Sequence, residues 1–191
     1  MQAVAGTSFI EPFTVEIDVN RGEMPHAKHH IVRRASDMRG HYADEQALER
    51  LIADGGDPVH YEVFEIPVPE EYGHLMYCIS TLQPGSVGQE CFMTKGHYHT
   101  VVNTGETYLC LGGEGYMIMK TSDGRFNAQP MARNRMVYVP PYWAHRSVNT
   151  GNEPLISYCV YGAEAGHNYG DIEQEGFIKR VYNRNGTIEI V

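Results

Sequence analysis

The sequence predicts an all-β fold, an antiparallel sandwich or small barrel entered through an N-terminal extension, and three observations support it. From Val59 onward, short stretches rich in β-branched and aromatic residues recur, among them VHYEVFEI, HLMYCISTL, ETYLCLGG, GYMIMKT and LISYCVY. A pleated, half-buried surface selects that composition. Turn residues separate the stretches at hairpin intervals: Pro84-Gly85, Asn103-Thr104-Gly105, Gly112-Gly113, Asp123-Gly124, Asn149-Thr150-Gly151 and Asn185-Gly186. Apolar residues at helical spacing form one clear run, and it lies before all of these strands.

Taken in order, residues 1–57 form an extension packed on a barrel of residues 58–191, the two making one structural domain. Within the extension Asp44 is placed to cap a helix whose Ala47, Leu48, Leu51 and Ile52 share a face. Gly55 and Gly56 then end it. The barrel opens with VHYEVFEI and HLMYCISTL. It continues through CFMTKGHYH, ETYLCLGG, GYMIMKT, MVYVPP, SVNT and LISYCVY, and closes with IKRVYN and TIEIV. Many short strands with frequent turns suit a jelly roll and an immunoglobulin-like sandwich alike, so the motifs must decide between them.

Composition narrows the function first. A chain of 191 residues with 42% hydrophobic content builds one sizeable core. Its 15 Lys plus Arg against 24 Asp plus Glu give a formal charge of −9, which excludes a general attraction to nucleic acid or anionic lipid. MQAVAGTSFIEPF has no basic stretch followed by an apolar one, and no apolar run approaches the roughly 20 residues that span a bilayer. The expected location is the cytoplasm, with no nucleic acid or membrane as partner. Cys78, Cys91, Cys110 and Cys159 sit singly in strand-like surroundings and read as buried, reduced thiols. Cys110 shares a strand face with Glu106.

The chemistry concentrates around His97 and His99. On a strand the two imidazoles point one way and Tyr98 the other. The turn-like stretch from Thr100 to Gly105 reverses the chain, so Glu106 at the head of the next strand brings a carboxylate back to the same region. His145 adds a third imidazole from a strand behind Pro140-Pro141. Imidazoles with one carboxylate suit iron, manganese, nickel, cobalt or zinc rather than calcium. His26, His29, His30, His41, His60 and His74 lie in turns or the extension and read as solvated or structural.

HYH is followed seven residues on by Glu106, then by Gly113, and later by PPYWAHRSVN, in which Asn149 follows His145 by four. This resembles the two cupin motifs, with a longer gap between HxH and glutamate and with Tyr142 in place of the glycine after the proline pair. The expected fold is therefore a cupin jelly-roll barrel. TKGHYH, GETYLCLGGEGYM, VYVPPYWAHRSVN and YGAEAGHNYG, with EPFTVEID, VRRASDMRG and DPVHYEVFEI, resemble more narrowly the cupin-type glucose-6-phosphate isomerases best known from archaea. The likeness runs over nearly the whole chain.

That resemblance implies interconversion of glucose 6-phosphate and fructose 6-phosphate with one divalent metal per subunit, iron foremost, in a homodimer. It implies His97, His99, Glu106 and His145 as ligands, and Glu106 also as the base. Tyr108 on the same face would orient Glu106 or a sugar oxygen, giving a catalytic set of Glu106, Tyr108 and His145. It places Ser80, Thr94, Gly96, Tyr161 and Tyr169 at the substrate's phosphate and Tyr61 in the active site. Lys95 is either a cation there or an outward-facing strand lysine, since it shares parity with His97 but a bend at Gly96 leaves its direction open, and His167 is a candidate for the barrel mouth. Two rivals share the fold: a cupin oxygenase, identified by dioxygen consumption, and a non-catalytic sugar-sensing cupin, identified by binding without product.

Overall fold

Asp44 starts the one long helix among the described residues, α1 (Glu45–Gly55), by accepting the Ala47 N–H on its carboxylate at 2.8 Å. The helix stops at Gly56, whose φ of 67° is left-handed and costs a glycine little. Ala47 and Leu48 are buried on the core, and Leu51 and Ile52 pack beside them. The computed structural model describes residues 7–191, so the first six residues of the predicted extension lie outside it.

Among the described residues thirteen strands carry the rest of the fold. They are β1 (His29–Arg34), β2 (Val59–Glu65), β3 (Leu75–Leu82), β4 (Ser86–Val87), β5 (Glu90–Cys91), β6 (Glu106–Gly112) and β7 (Glu114–Lys120). After them come β8 (Phe126–Ala132), β9 (Met136–Val139), β10 (Ala144–Asn149), β11 (Leu155–Gly162), β12 (Val181–Arg184) and β13 (Thr187–Ile190), with a six-residue helix α2 (Gly170–Glu175) between β11 and β12. The strands form a six-stranded sheet ordered β1-β2-β3-β11-β6-β9, a three-stranded sheet β10-β7-β8 and a four-stranded sheet β13-β12-β5-β4. The expected all-β cupin architecture is present. No helix of the described residues is long and apolar enough to cross a membrane.

Register sets what faces inward. In the six-stranded sheet Val63, Ser80, Ser157 and Cys110 lie in one cross-strand row, and Glu65, Cys78, Cys159 and Tyr108 in the next. Met76, Tyr161 and Glu106 form a third row. Since opposite residues on paired strands share a face, these rows build one continuous inner wall. All four cysteines are buried and free, as the sequence led one to expect.

Three local expectations differ from the structure. CFMTKGHYH is not a continuous strand: only Cys91 belongs to one, and the rest attaches through the isolated bridges Met93 to Val148 and His97 to His145. Gly96 explains the break, because its φ of 78° is left-handed and a Cβ there would meet the Phe177 ring at 2.6 Å. The segment HHIVRR, for which no strand was expected within the extension, pairs with β2 as β1, so the extension supplies an edge strand to the main sheet. His60, read as a solvated or structural residue in a turn or the extension, is structural and fully buried, on β2, where its Nε2 lies 2.5 Å from the Tyr42 hydroxyl.

Tyr142 stands where the cupin pattern has glycine, and it adopts the left-handed conformation that glycine would supply, with φ of 71°. Such a position costs a non-glycine residue roughly 1–3 kcal/mol, whereas glycine's extra unfolded-state entropy costs about 0.5–1. Because the Tyr142 side chain is exposed, Tyr142→Gly should stabilise the fold by about 1 kcal/mol. A urea midpoint unchanged or lowered in the variant would refute this.

Candidate metal centre

His97 and His145 are locked together by reciprocal backbone hydrogen bonds, His97 N–H to the His145 carbonyl at 3.2 Å and the reverse at 3.0 Å. Glu106 heads β6, paired opposite Val139 on one side and Tyr161 on the other. His99 comes from the loop before it. One donor atom from each of His97, His99, Glu106 and His145 lies within 4.8 Å of the others. The four predicted ligands are thus brought together, with His145, Glu106 and His99 only 1%, 3% and 5% exposed.

The hydrogen bonds prepare these groups for a cation. The Thr104 hydroxyl gives its proton to the Val101 carbonyl, so the Thr104 oxygen 2.8 Å from His99 Nδ1 acts as acceptor. His99 Nδ1 therefore donates there, and His99 turns its Nε2 toward Glu106 Oε2, 3.1 Å away. A lone pair facing a carboxylate oxygen repels unless a proton or metal ion lies between them. His145 Nε2 approaches the same oxygen at 2.9 Å, and His97 Nε2 is buried with no hydrogen-bond partner. Three imidazoles and one carboxylate fit a borderline or transition divalent metal.

Burial alone would push the Glu106 carboxyl up, but contacts from His145 and His99 outweigh it and hold the group well below the usual carboxylate range. His97 is held well below the ordinary histidine value, first by burial and then by His145 and His167. The site consequently presents a carboxylate anion and, at His97, a neutral imidazole. Tyr108, fully enclosed, has its hydroxyl held protonated by burial and then by the neighbouring Glu106 charge. It is thereby available as a donor to that carboxylate.

A cavity of about 380 Å³ opens over this cluster, large enough for a small ligand. Glu106, Tyr108, Tyr161 and His167 line it together with Tyr61, Ser80, Thr94, Gly96 and Tyr169, and the Tyr169 ring stacks on His167 with centroids 6.0 Å apart. All the predicted substrate residues border it. Tyr161 stands in the same row as Glu106, and its hydroxyl donates to Glu65 Oε1 at 3.4 Å. The His167 ring centroid is 4.4 Å from that of His97. Lys95 is not among the lining residues, and its charge acts instead on His41.

Sequence reasoning passed over Glu65 and His29, both on the cavity wall. Glu65 was accessible to it, because Tyr61, Val63 and Glu65 alternate onto one face of β2. His29 was not, since nothing local announces the pairing of β1 with β2.

Residues 32–191 match the family model described as glucose-6-phosphate isomerase. The glucose-6-phosphate isomerase of Thermococcus gammatolerans is 48% identical over 180 residues, covering 94% of each chain. That of Pyrococcus abyssi is 47% identical over 181 residues, covering 95% of each. Among solved structures, an oxalate oxidase is similar at a TM-score of 0.48 and 14% identity, over 59% of this chain and 56% of its own.

Proposed function

The chain belongs to the glucose-6-phosphate isomerase family, and on that premise we propose that His97, His99, Glu106 and His145 hold one divalent metal while Glu106 carries the proton between C1 and C2 of the sugar. The activity is the interconversion of glucose 6-phosphate and fructose 6-phosphate. The observation that carries the site assignment is the convergence of four buried donors, one of them an orphaned His97 Nε2, at the cavity.

Moving hydrogen between C1 and C2 requires acidifying a C–H beside a carbonyl and sheltering the charge that develops on oxygen. When bound, a divalent metal supplies Lewis-acid polarisation of the sugar oxygens. Iron is our first choice, with manganese, nickel, cobalt and zinc compatible with the donor set. Both histidine contacts to Glu106 fall on Oε2, which leaves Oε1 as the atom to accept and return the proton. Tyr108 donates to the carboxylate and fixes its rotamer. His145 joins the catalytic set by holding Oε2 from the opposite sheet.

For the phosphate, Ser80 and Thr94 offer hydroxyls, Gly96 lets the backbone approach, and Tyr61 and Tyr169 add phenols, all of them on the cavity wall. Tyr161 shares the Glu106 row; we assign its hydroxyl to the substrate, for which it exchanges its present bond to Glu65. The extension 1–57 and barrel 58–191 act as one structural unit, which we place in the cytoplasm as a homodimer. Stripping the metal and restoring iron, manganese, nickel or zinc in turn should abolish and then recover isomerisation. Full activity of the stripped protein would remove the metal from the reading.

Thr94→Ala and Tyr61→Phe should raise KM for fructose 6-phosphate far more than they lower kcat, because the phosphate is remote from the reacting carbons. Losing a hydrogen bond to a charged group costs about 1.5–3 kcal/mol. Steady-state kinetics checks this, and an unchanged KM in both variants would take these residues out of the phosphate site.

A further inference from the structure

A sugar phosphate brings a dianion into the protein, and a buried dianion needs a cation as well as hydroxyl donors. None of the residues lining the cavity is a lysine or arginine. Lys95 lies between Thr94 and Gly96, which face the cavity, and its charge falls on His41 instead. The phosphate site as drawn so far therefore lacks its positive charge.

The β1 edge supplies a candidate. His29 and Ile31 line the cavity, and Arg33 is the next residue of that alternating row. Arg33 lies directly across the strands from Tyr61, so the two side chains leave the same face of the sheet. Its side chain is half-buried. The arginines that form salt bridges among the described residues are Arg21, Arg39, Arg125, Arg180 and Arg184, and Arg33 is not one of them.

From that position its charge acts on two phenols. Burial, with Tyr169 next to it, pushes the Tyr61 hydroxyl up to about 12, and Arg33 opposes that rise by its charge and a hydrogen bond. Tyr169 is likewise raised by burial, with the Arg33 charge acting against it. Both phenols line the cavity, and the Tyr61 hydroxyl also meets the backbone of Lys95, between the proposed phosphate contacts Thr94 and Gly96.

We propose that Arg33 is the cation of the phosphate subsite, entering from the β1 edge beside Tyr61 and Tyr169 and selecting the phosphorylated sugar. This rests on the isomerase reading above and names the residue that makes its phosphate site selective. A planar guanidinium suits the task, since it can bind a phosphate through two parallel hydrogen bonds while stacking near phenol rings.

The test measures two quantities on metal-loaded protein: equilibrium binding of inorganic phosphate by calorimetry, and KM for fructose 6-phosphate. In Arg33→Gln and in Arg33→Met both the phosphate dissociation constant and KM should rise about ten- to hundredfold, the scale of a lost charged hydrogen bond. Metal content should be unchanged and kcat nearly so. Arg33→Lys, which keeps the charge and loses the fork, should recover part of the loss. A merely structural arginine would alter kcat and metal content with no selective effect on phosphate. Unchanged phosphate affinity in either folded, metal-loaded neutral variant overturns the proposal. The isomerase reading fails differently: wild-type protein would then bind inorganic phosphate in an Arg33-dependent way and turn over no sugar phosphate.

Discussion

His97→Ala, His99→Ala and His145→Ala should each lose bound metal and isomerase activity together. Each variant removes one of only four donors, and His99 and His145 leave buried positions while His97 leaves the cavity wall. Changing a residue that merely orients a metal ligand typically costs 10–100-fold in metal affinity or activity, so losing a ligand should cost at least about a hundredfold. The three variants should also differ in stability in an informative way. His97 Nε2 has no hydrogen-bond partner, so its removal leaves no protein group newly unpaired there, whereas His99→Ala strands the Thr104 oxygen and half of the contact to Glu106. Elemental analysis beside the activity assay decides the matter. Full metal content in all three variants would sink the site, and loss in one alone would mean that the ligand set is wrong.

These four residues were legible in the sequence because what brings them together is mostly local. His97 and His99 are two residues apart, a short reversal returns Glu106, and only His145 must arrive from elsewhere, where it is carried by a motif of its own. The same locality made α1 readable: Asp44 and Gly56 act on a helix through backbone groups within one turn of themselves. The reading went astray where one residue changes the path of the chain. Gly96 turns CFMTKGHYH out of strand geometry, yet Tyr98 still faces away from the histidines, packing with Ala144 and Ile172.

What the sequence concealed depends on pairing between distant segments. Arg33 and His29 reach the cavity side only because β1 adds to the edge of β2 across more than twenty intervening residues, a partnership with no sequence signal of its own. His60 read as either solvated or structural, and its structural role is conferred by Tyr42 from the extension and by Phe92, whose ring centroid is 3.8 Å from its own. The direction of Lys95 also needed the structure. Strand parity with His97 and a bend at Gly96 left that direction open, and the left-handed turn at Gly96 breaks the parity.

Glu106→Gln should retain metal while kcat falls by roughly 10² to 10⁴-fold, the range of a lost general base. The amide keeps the size of the side chain and one oxygen to face the metal, but it has no basic oxygen for the proton. Oε2 already meets His99 and His145, so the change should fall mainly on the oxygen that histidine does not engage. Turnover in D₂O supplies the mechanistic half. A carboxylate that removes the C–H proton and returns it should place some deuterium at C2 of glucose 6-phosphate, although the burial of Glu106, 3% exposed, allows much of the original proton to come back before it exchanges. Partial deuterium incorporation in the wild type together with a metal-loaded, slow Glu106→Gln variant is the expected pair of results. Near-normal turnover in that variant, with no deuterium in the wild-type product, would eliminate Glu106 as the base. It would favour direct transfer of the hydrogen between the two carbons, with the carboxylate reduced to a ligand.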